Sequence, residues 1–175
     1  MCAAGRLDNQ VMTGFPLDAT TTTVAPGSLE GRAVLTSYFR DIVSRYYGRE
    51  ATHDEVSAAM TAEPSDDLCP PGGLFLVARQ DGAVIGCAGL RLLPAGLGEI
   101  KRVFVVPQAR RHGIGAQLLR AVEDAARKHA VTRLRLDTRS DLAEARQLYA
   151  TNGYREVAPF NDGCFADHWY EKSLT

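Results

Sequence analysis

The sequence predicts an α/β domain with about six to seven strands and about four helices. Three observations predict it. The chain has 175 residues and is 45% hydrophobic, enough to bury a core of its own and too short for a second full domain. Runs of β-prone residues interleave with apolar runs of helical period instead of segregating. The strand-like IKRVFVVP enters an amphipathic run through the glycine-bearing ARRHGIGAQLL, giving the order strand, loop, helix.

Residues 1–17 show no periodicity and are expected to form a loose N-terminal segment before a single domain at 18–175. The β-prone ATTTTVAP gives a first strand that stops at Pro26. Ser28 is placed to cap the helix LEGRAVLTSYFRDIVSRYYG, where Leu35, Phe39, Ile42, Val43 and Tyr46 form an apolar stripe and Gly48 closes the last turn. HDEVSAAM gives a shorter helix, CPPGG ends that region, and LFLVARQDGAVIGCAGLRLL reads as a hairpin turning at Asp81-Gly82. A strand from Glu99 to Val106 leads through the glycine loop into a helix whose face carries Ile114, Leu118, Val122 and Ala125. RLRLDT is another strand, and Leu142, Ala145, Leu148 and Tyr149 lie on a helix that Gly153 stops. The strands YREV and DHWYEKSL finish the chain.

The formal charge is −1 at pH 7, with 20 Lys+Arg against 21 Asp+Glu, so composition gives no support to a nucleic-acid partner. Cys2, Cys69, Cys87 and Cys164 lie far apart, without a C-x-x-C pair or a Cys/His cluster at zinc spacing, and no metal is expected. No apolar run approaches the roughly 18 residues of a membrane span, and MCAAGRLDNQ lacks the regions of a secretory signal. The expectation is a cytoplasmic protein with reduced thiols and no membrane partner. A homodimer is left open.

Where a strand runs into a helix through glycines, side chains are removed from the loop and the free N–H groups of the helix start converge on an anion. A phosphate suits that geometry. Two familiar phosphate loops do not fit, because no G-K-[ST] follows and Leu118 stands where a dinucleotide G-x-G-x-x-G needs glycine. What fits is R-x-x-G-x-G over Arg110, Gly113 and Gly115, which resembles the pyrophosphate-binding motif of GNAT-superfamily N-acetyltransferases. GEIKRVFVVPQARRHGIGAQLLRAVEDAA is similar to that family's fourth strand, loop and third helix, and ARQLYATNGYREV to its later A-x-x-L-Y-x-x-x-G-[FY] segment. The likeness runs from about Leu74 to Thr175.

The resemblance implies a GNAT-like mixed, twisted sheet, antiparallel in its first half and splayed between the fourth and fifth strands to admit the pantetheine arm of acetyl-CoA. By motif position, the backbone of Val103, Phe104 and Val105 would hydrogen-bond the pantetheine amides as an added strand does. Arg110, Arg111, His112, Gly113, Ile114, Gly115 and Ala116 would ring the pyrophosphate. The Arg110 and Arg111 side chains suit a solvated rim as well as a phosphate contact, and His112 reads as an exposed loop residue.

Glu99 stands eleven residues before Arg110, where some relatives carry a glutamate that removes the acceptor amine's proton, directly or through water. A salt bridge to Lys101 on the same strand face is the competing reading. Tyr149 occupies the family's tyrosine position, where the hydroxyl meets the departing thiolate; spacing alone makes it an aromatic on the buried stripe. Leu142 replaces the asparagine that many relatives carry seven residues before that tyrosine. Cys164 lacks a recognisable histidine and acid to activate it as a nucleophile, and His168 and Trp169 read as packing on the last strand. The loop from Pro159 to Ala166, facing Tyr46 and Tyr47, is the candidate acceptor lining.

The expected activity is transfer of an acetyl group from acetyl-CoA to a primary amine of a small molecule, by direct attack in a ternary complex and without a metal. Two alternatives remain: a non-catalytic acyl-CoA sensor, which needs neither Glu99 nor Tyr149, and an acetyltransferase acting on a protein amino terminus or lysine, which needs a long open groove.

Overall fold

Ser28 and Thr52 start the two N-terminal helices as their chemistry requires. In the computed structural model, which describes residues 19–175, the Ser28 side chain accepts from the Gly31 N–H at 3.1 Å to open α1 (Leu29–Tyr47). The Thr52 hydroxyl accepts from the Glu55 N–H and the Glu55 carboxylate from the Thr52 N–H, a capping box that opens α2 (His53–Ala62). Gly48 ends α1 with φ at 65°. The loose segment expected at 1–17 lies outside the described residues.

The remaining elements are β1 (Thr20–Thr23), β2 (Gly73–Gln80), β3 (Ala83–Leu93), β4 (Leu97–Val105), α3 (Ile114–Lys128), β5 (Arg133–Thr138), α4 (Ala143–Thr151), β6 (Arg155–Val157) and β7 (His168–Ser173). They form one seven-stranded sheet in the order β1-β2-β3-β4-β5-β7-β6. Asp81 and Gly82 both take positive φ at the β2–β3 turn, the conformation that matches a two-residue hairpin to strand twist. Neighbouring strands are antiparallel except β4 and β5. That parallel pairing covers only Leu97–Glu99 against Arg133–Arg135. Beyond it the strands part, as expected of a sheet splayed between the fourth and fifth strands.

α3 covers one face of the sheet with Ile114, Leu118, Leu119, Val122 and Ala126, while α1 and α2 cover the other around Phe39, Phe75 and Phe104. Ala125 packs against the core from the inward face of α3 as expected, and Ala126 beside it is fully buried. Two sequence expectations need correction. Tyr46 is 58% exposed, since the last turns of α1 run past the sheet and over the split. Leu142 precedes α4 instead of lying on it.

Glu123 is a buried carboxylate that no periodicity signals. It accepts from the Tyr154 hydroxyl at 3.0 Å and from Lys172 Nζ at 2.7 Å, tying α3 to β7 and to the residue that precedes β6. Lys172→Met leaves that carboxylate without its principal counter-charge, and is expected to lower stability by about 2–4 kcal/mol in a urea titration.

Candidate active site

β4 carries an irregularity where the site lies. Gly89 pairs with Lys101 and Cys87 with Phe104, so three β4 steps oppose two on β3. The extra residue is a β-bulge at Arg102, whose φ is 57°. Arg102 is held there by Ser65 and Glu63, at 3.1 and 3.0 Å, and its guanidinium lies over the Phe39 ring. The bulge turns the strand away from β5, whose pairing has already stopped at Glu99. Backbone groups of Val103 to Val105 on that edge therefore have no strand beside them among the described residues.

A cleft of 2040 Å³ occupies the split. α1, β4, the loop before α3, the end of β5, α4 and the β6–β7 loop all border it. It brings together Val103, Phe104, Val105, the run Arg110 to Ala116, and Tyr149. Glu99 is outside its lining, while Lys101 and Asp137 are within it.

The start of α3 borders the cleft with its backbone bare. Gly113 is its N-cap with φ at 81°, no side chain of the described residues caps the helix, and no acid stands in its first turn. The first N–H groups of the helix are thus available to a ligand. A Cβ on Gly113 would meet nothing within 4 Å, whereas one on Gly115 would lie 3.0 Å from Leu148. Gly113 thus keeps the mouth of the loop open, and Gly115 lets α4 approach α3. These features fit the pyrophosphate of a coenzyme A. The Arg110 guanidinium turns back to the Val105 carbonyl and to Asp41, both at 2.9 Å. Asp41 also pairs with Arg45, and Arg45 with Glu144 of α4, so an ionic chain crosses the split from one lip to the other. His112 is exposed, with its ring nitrogen 2.8 Å from the Arg110 carbonyl.

Tyr149 is 5% exposed and packs beside the Tyr154 and Tyr170 rings. Its hydroxyl makes no hydrogen bond to any described residue and its ring borders the cleft. Burial, with smaller contributions from Tyr38 and Asp137, pushes its pKa well above the usual phenol value. The hydroxyl is a proton donor throughout the neutral range.

Glu99 is surrounded by cations: Arg91 at 3.1 Å, Lys101 at 3.0 Å and Arg135 at 2.9 Å. Burial works to raise its pKa, but Lys101 and Arg135 hold it below the usual carboxylate range. The salt bridge to Lys101 is present and is one of three.

At the far end of the cleft, Tyr46 meets Phe165 of the β6–β7 loop edge-on, with ring centroids 5.6 Å apart. Cys164, exposed, stands next to it. His168 bonds Glu156 at 2.6 Å and Ser140 at 3.0 Å, and Trp169 donates to Asn161. Asp137, Tyr38 and the Arg102 bulge also border the cleft, and no motif marks them. For Asp137 a signal existed, since ligands of open α/β sheets collect at the carboxyl ends of strands and it is the one acid in RLRLDT. Arg102 in a left-handed conformation has none.

A model of the acetyltransferase (GNAT) family matches residues 36–154. The IAA acetyltransferase of Azospirillum brasilense is 40% identical over 94 residues, which span 53% of this chain and 61% of that protein; the match covers less than two thirds of that relative's length. Among solved structures, a GNAT-family acetyltransferase from Staphylococcus aureus Mu50 superposes with a TM-score of 0.73 at 19% identity, over 90% of this chain and 99% of that one. The PaiA N-acetyltransferase of Thermoplasma acidophilum, in complex with coenzyme A, does so with a TM-score of 0.70 at 21% identity, over 89% and 98%. No described helix is long and apolar enough to cross a membrane.

Proposed function

Since the chain belongs to the acetyltransferase (GNAT) family, we propose that it transfers an acetyl group from acetyl-CoA to a primary amine of a small molecule, with both bound in the cleft at once. One observation carries the reading. Among the described residues, a single cleft joins a helix start that no side chain caps, a strand edge that no strand pairs and a buried tyrosine hydroxyl that no side chain partners. Bound there, acetyl-CoA supplies an activated acetyl thioester.

Gly113 and the first turn of α3 hold the pyrophosphate through backbone N–H groups, with the dipole of a 15-residue helix behind them. Val103, Phe104 and Val105 pair with the pantetheine amides along the free edge of β4. Tyr149 donates toward the thioester sulfur. A phenol near 10 facing a thiol near 8.5 is already roughly 2 kcal/mol uphill for full transfer, and the raised pKa of Tyr149 makes it more so. Its contribution is a hydrogen bond that strengthens as charge collects on sulfur. Three ion pairs favour an architectural role for Glu99, which fixes Lys101 and Arg135 across the β4–β5 junction.

Free-thiol release from acetyl-CoA with a panel of primary amines tests the reading; tight coenzyme A binding without release for any amine would establish a sensor instead. Tyr46 and Phe165 line the acceptor end, so Phe165→Ala is expected to raise the amine KM about two- to ten-fold, the range of one aromatic contact. Coenzyme A affinity, measured calorimetrically, stays at the wild-type value.

A further inference from the structure

We propose that the protein carries a second, hydrolytic site outside the cleft, in which Ser140, His168 and Glu156 act together on small carboxylic esters. His168 Nε2 stands 3.0 Å from the Ser140 hydroxyl oxygen, and its Nδ1 stands 2.6 Å from Glu156 Oε1. A carboxylate can only accept, so Nδ1 carries the hydrogen and Nε2 presents its lone pair to the hydroxyl. That is the order of nucleophile, base and orienting acid. None of the three borders the cleft assigned to acetyl transfer.

Three segments of the chain build the group. Thr138 ends β5 opposite His168, the first residue of β7, and Ser140 follows in the turn that leads to α4. Glu156 pairs with Tyr170 across β6 and β7, so it shares a sheet face with His168, two positions before Tyr170. The Ser140 N–H donates to Asp167 Oδ2 at 2.8 Å, which pins the turn beside the last strand. Ser140 is exposed, whereas the His168 side chain is only 19% exposed. The nucleophile is open to solvent while the base is held.

A place for the ester adjoins the group. A cavity of 490 Å³ is bordered by Ala143, Ala150, Tyr154 and Tyr170, together with Arg146 and Glu156, and its size is that of a small-ligand site. Glu156 belongs to both the cavity and the triad. Ala143 is the first residue of α4, no described side chain caps that helix, and a first helical N–H has no partner within the helix. That N–H is the donor for the ester carbonyl oxygen as charge develops on it.

The atoms balance without a co-reactant other than water. The Ser140 oxygen attacks the ester carbonyl as its proton passes to His168 Nε2. The bond from the acyl carbon to the alcohol oxygen then breaks, and the imidazolium returns the proton to the departing alkoxide. Water attacks the acyl-serine in the same way, its proton passing through Nε2 to the Ser140 oxygen. One ester and one water become one acid and one alcohol. Glu156 holds the ring and balances the imidazolium charge.

Hydrolysis of 4-nitrophenyl acetate, followed by release of 4-nitrophenolate, measures the activity with and without saturating coenzyme A. For Ser140→Ala and for His168→Ala, kcat/KM is expected to fall at least about 100-fold, the scale of a lost general base. Glu156→Gln keeps the shape of the acid and removes its charge, so kcat should fall at least about ten-fold while KM holds. Phenylmethylsulfonyl fluoride should label Ser140, read by peptide mass spectrometry, and the label should vanish in His168→Ala. Circular dichroism and calorimetric titration with coenzyme A should show Ser140→Ala folded, with wild-type affinity. Wild-type hydrolysis no faster than buffer, a Ser140→Ala rate within about three-fold of wild type, no label at Ser140, or suppression of hydrolysis by coenzyme A would each overturn the proposal.

Discussion

Gly113→Asp is expected to raise the dissociation constant for coenzyme A at least about 100-fold while leaving a folded protein. The position takes φ of 81° and a Cβ there points into open space, so the new side chain projects into the mouth of the loop without meeting the protein. Aspartate tolerates the left-handed region better than most residues, which keeps the backbone cost small. Its carboxylate then sits where the pyrophosphate belongs. Two like charges about 4 Å apart at an effective dielectric of 20 repel by roughly 4 kcal/mol, and the occupied volume adds to that. Gly113→Asn has the same shape without the charge and should weaken binding only about ten-fold, because the electrostatic part is absent. Calorimetric titration with coenzyme A, beside circular dichroism to confirm folding, measures both. Equal affinities for aspartate, asparagine and glycine at this position would move the pyrophosphate elsewhere.

Tyr149→Phe is expected to lower kcat about 10- to 1,000-fold, the scale of one lost donor to developing charge. The ring packs between Tyr154 and Tyr170, and phenylalanine preserves that packing, so stability is expected to change little. The hydroxyl has no partner among the described residues to be orphaned by its removal. Acetyl-CoA affinity should stay within a few-fold, because a hydrogen bond that strengthens only as the C–S bond breaks adds little in the ground state. Single-turnover kinetics beside equilibrium binding separate the two quantities. A wild-type rate of chemistry in the phenylalanine variant would return Tyr149 to the core role that its helical spacing suggests.

The parts legible in the sequence are those written locally. Ser28, Gly48 and the Asp81-Gly82 turn each act within a few residues, and the glycine loop announces itself by the side chains it lacks. Contacts between distant segments are silent. Glu123 looks like a solvent-facing helical glutamate until Tyr154 and Lys172, 31 and 49 residues away, close on it. Tyr46 fits the apolar stripe of α1 by period and is exposed, because the helix outruns the sheet beneath it. Leu142 fits the stripe of α4 by spacing, yet the helix begins one residue later. Asp137 reads as an ordinary strand residue, since its surroundings are fixed by Asn161 and Trp169 from another loop and strand.

The parting of β4 from β5 also bears on how the protein resists heat. Strand edges that face a gap rather than a neighbour depend on water for their hydrogen bonds, and a ligand that lies along them takes the place of a missing strand. Such a ligand binds the folded chain and not the unfolded one, so its binding energy adds directly to the free energy of unfolding. Saturation at 100 times the dissociation constant contributes about 2.7 kcal/mol. With coenzyme A lying along that edge as proposed above, the lifetime of this chain against unfolding and proteolysis would follow the supply of its acyl donor.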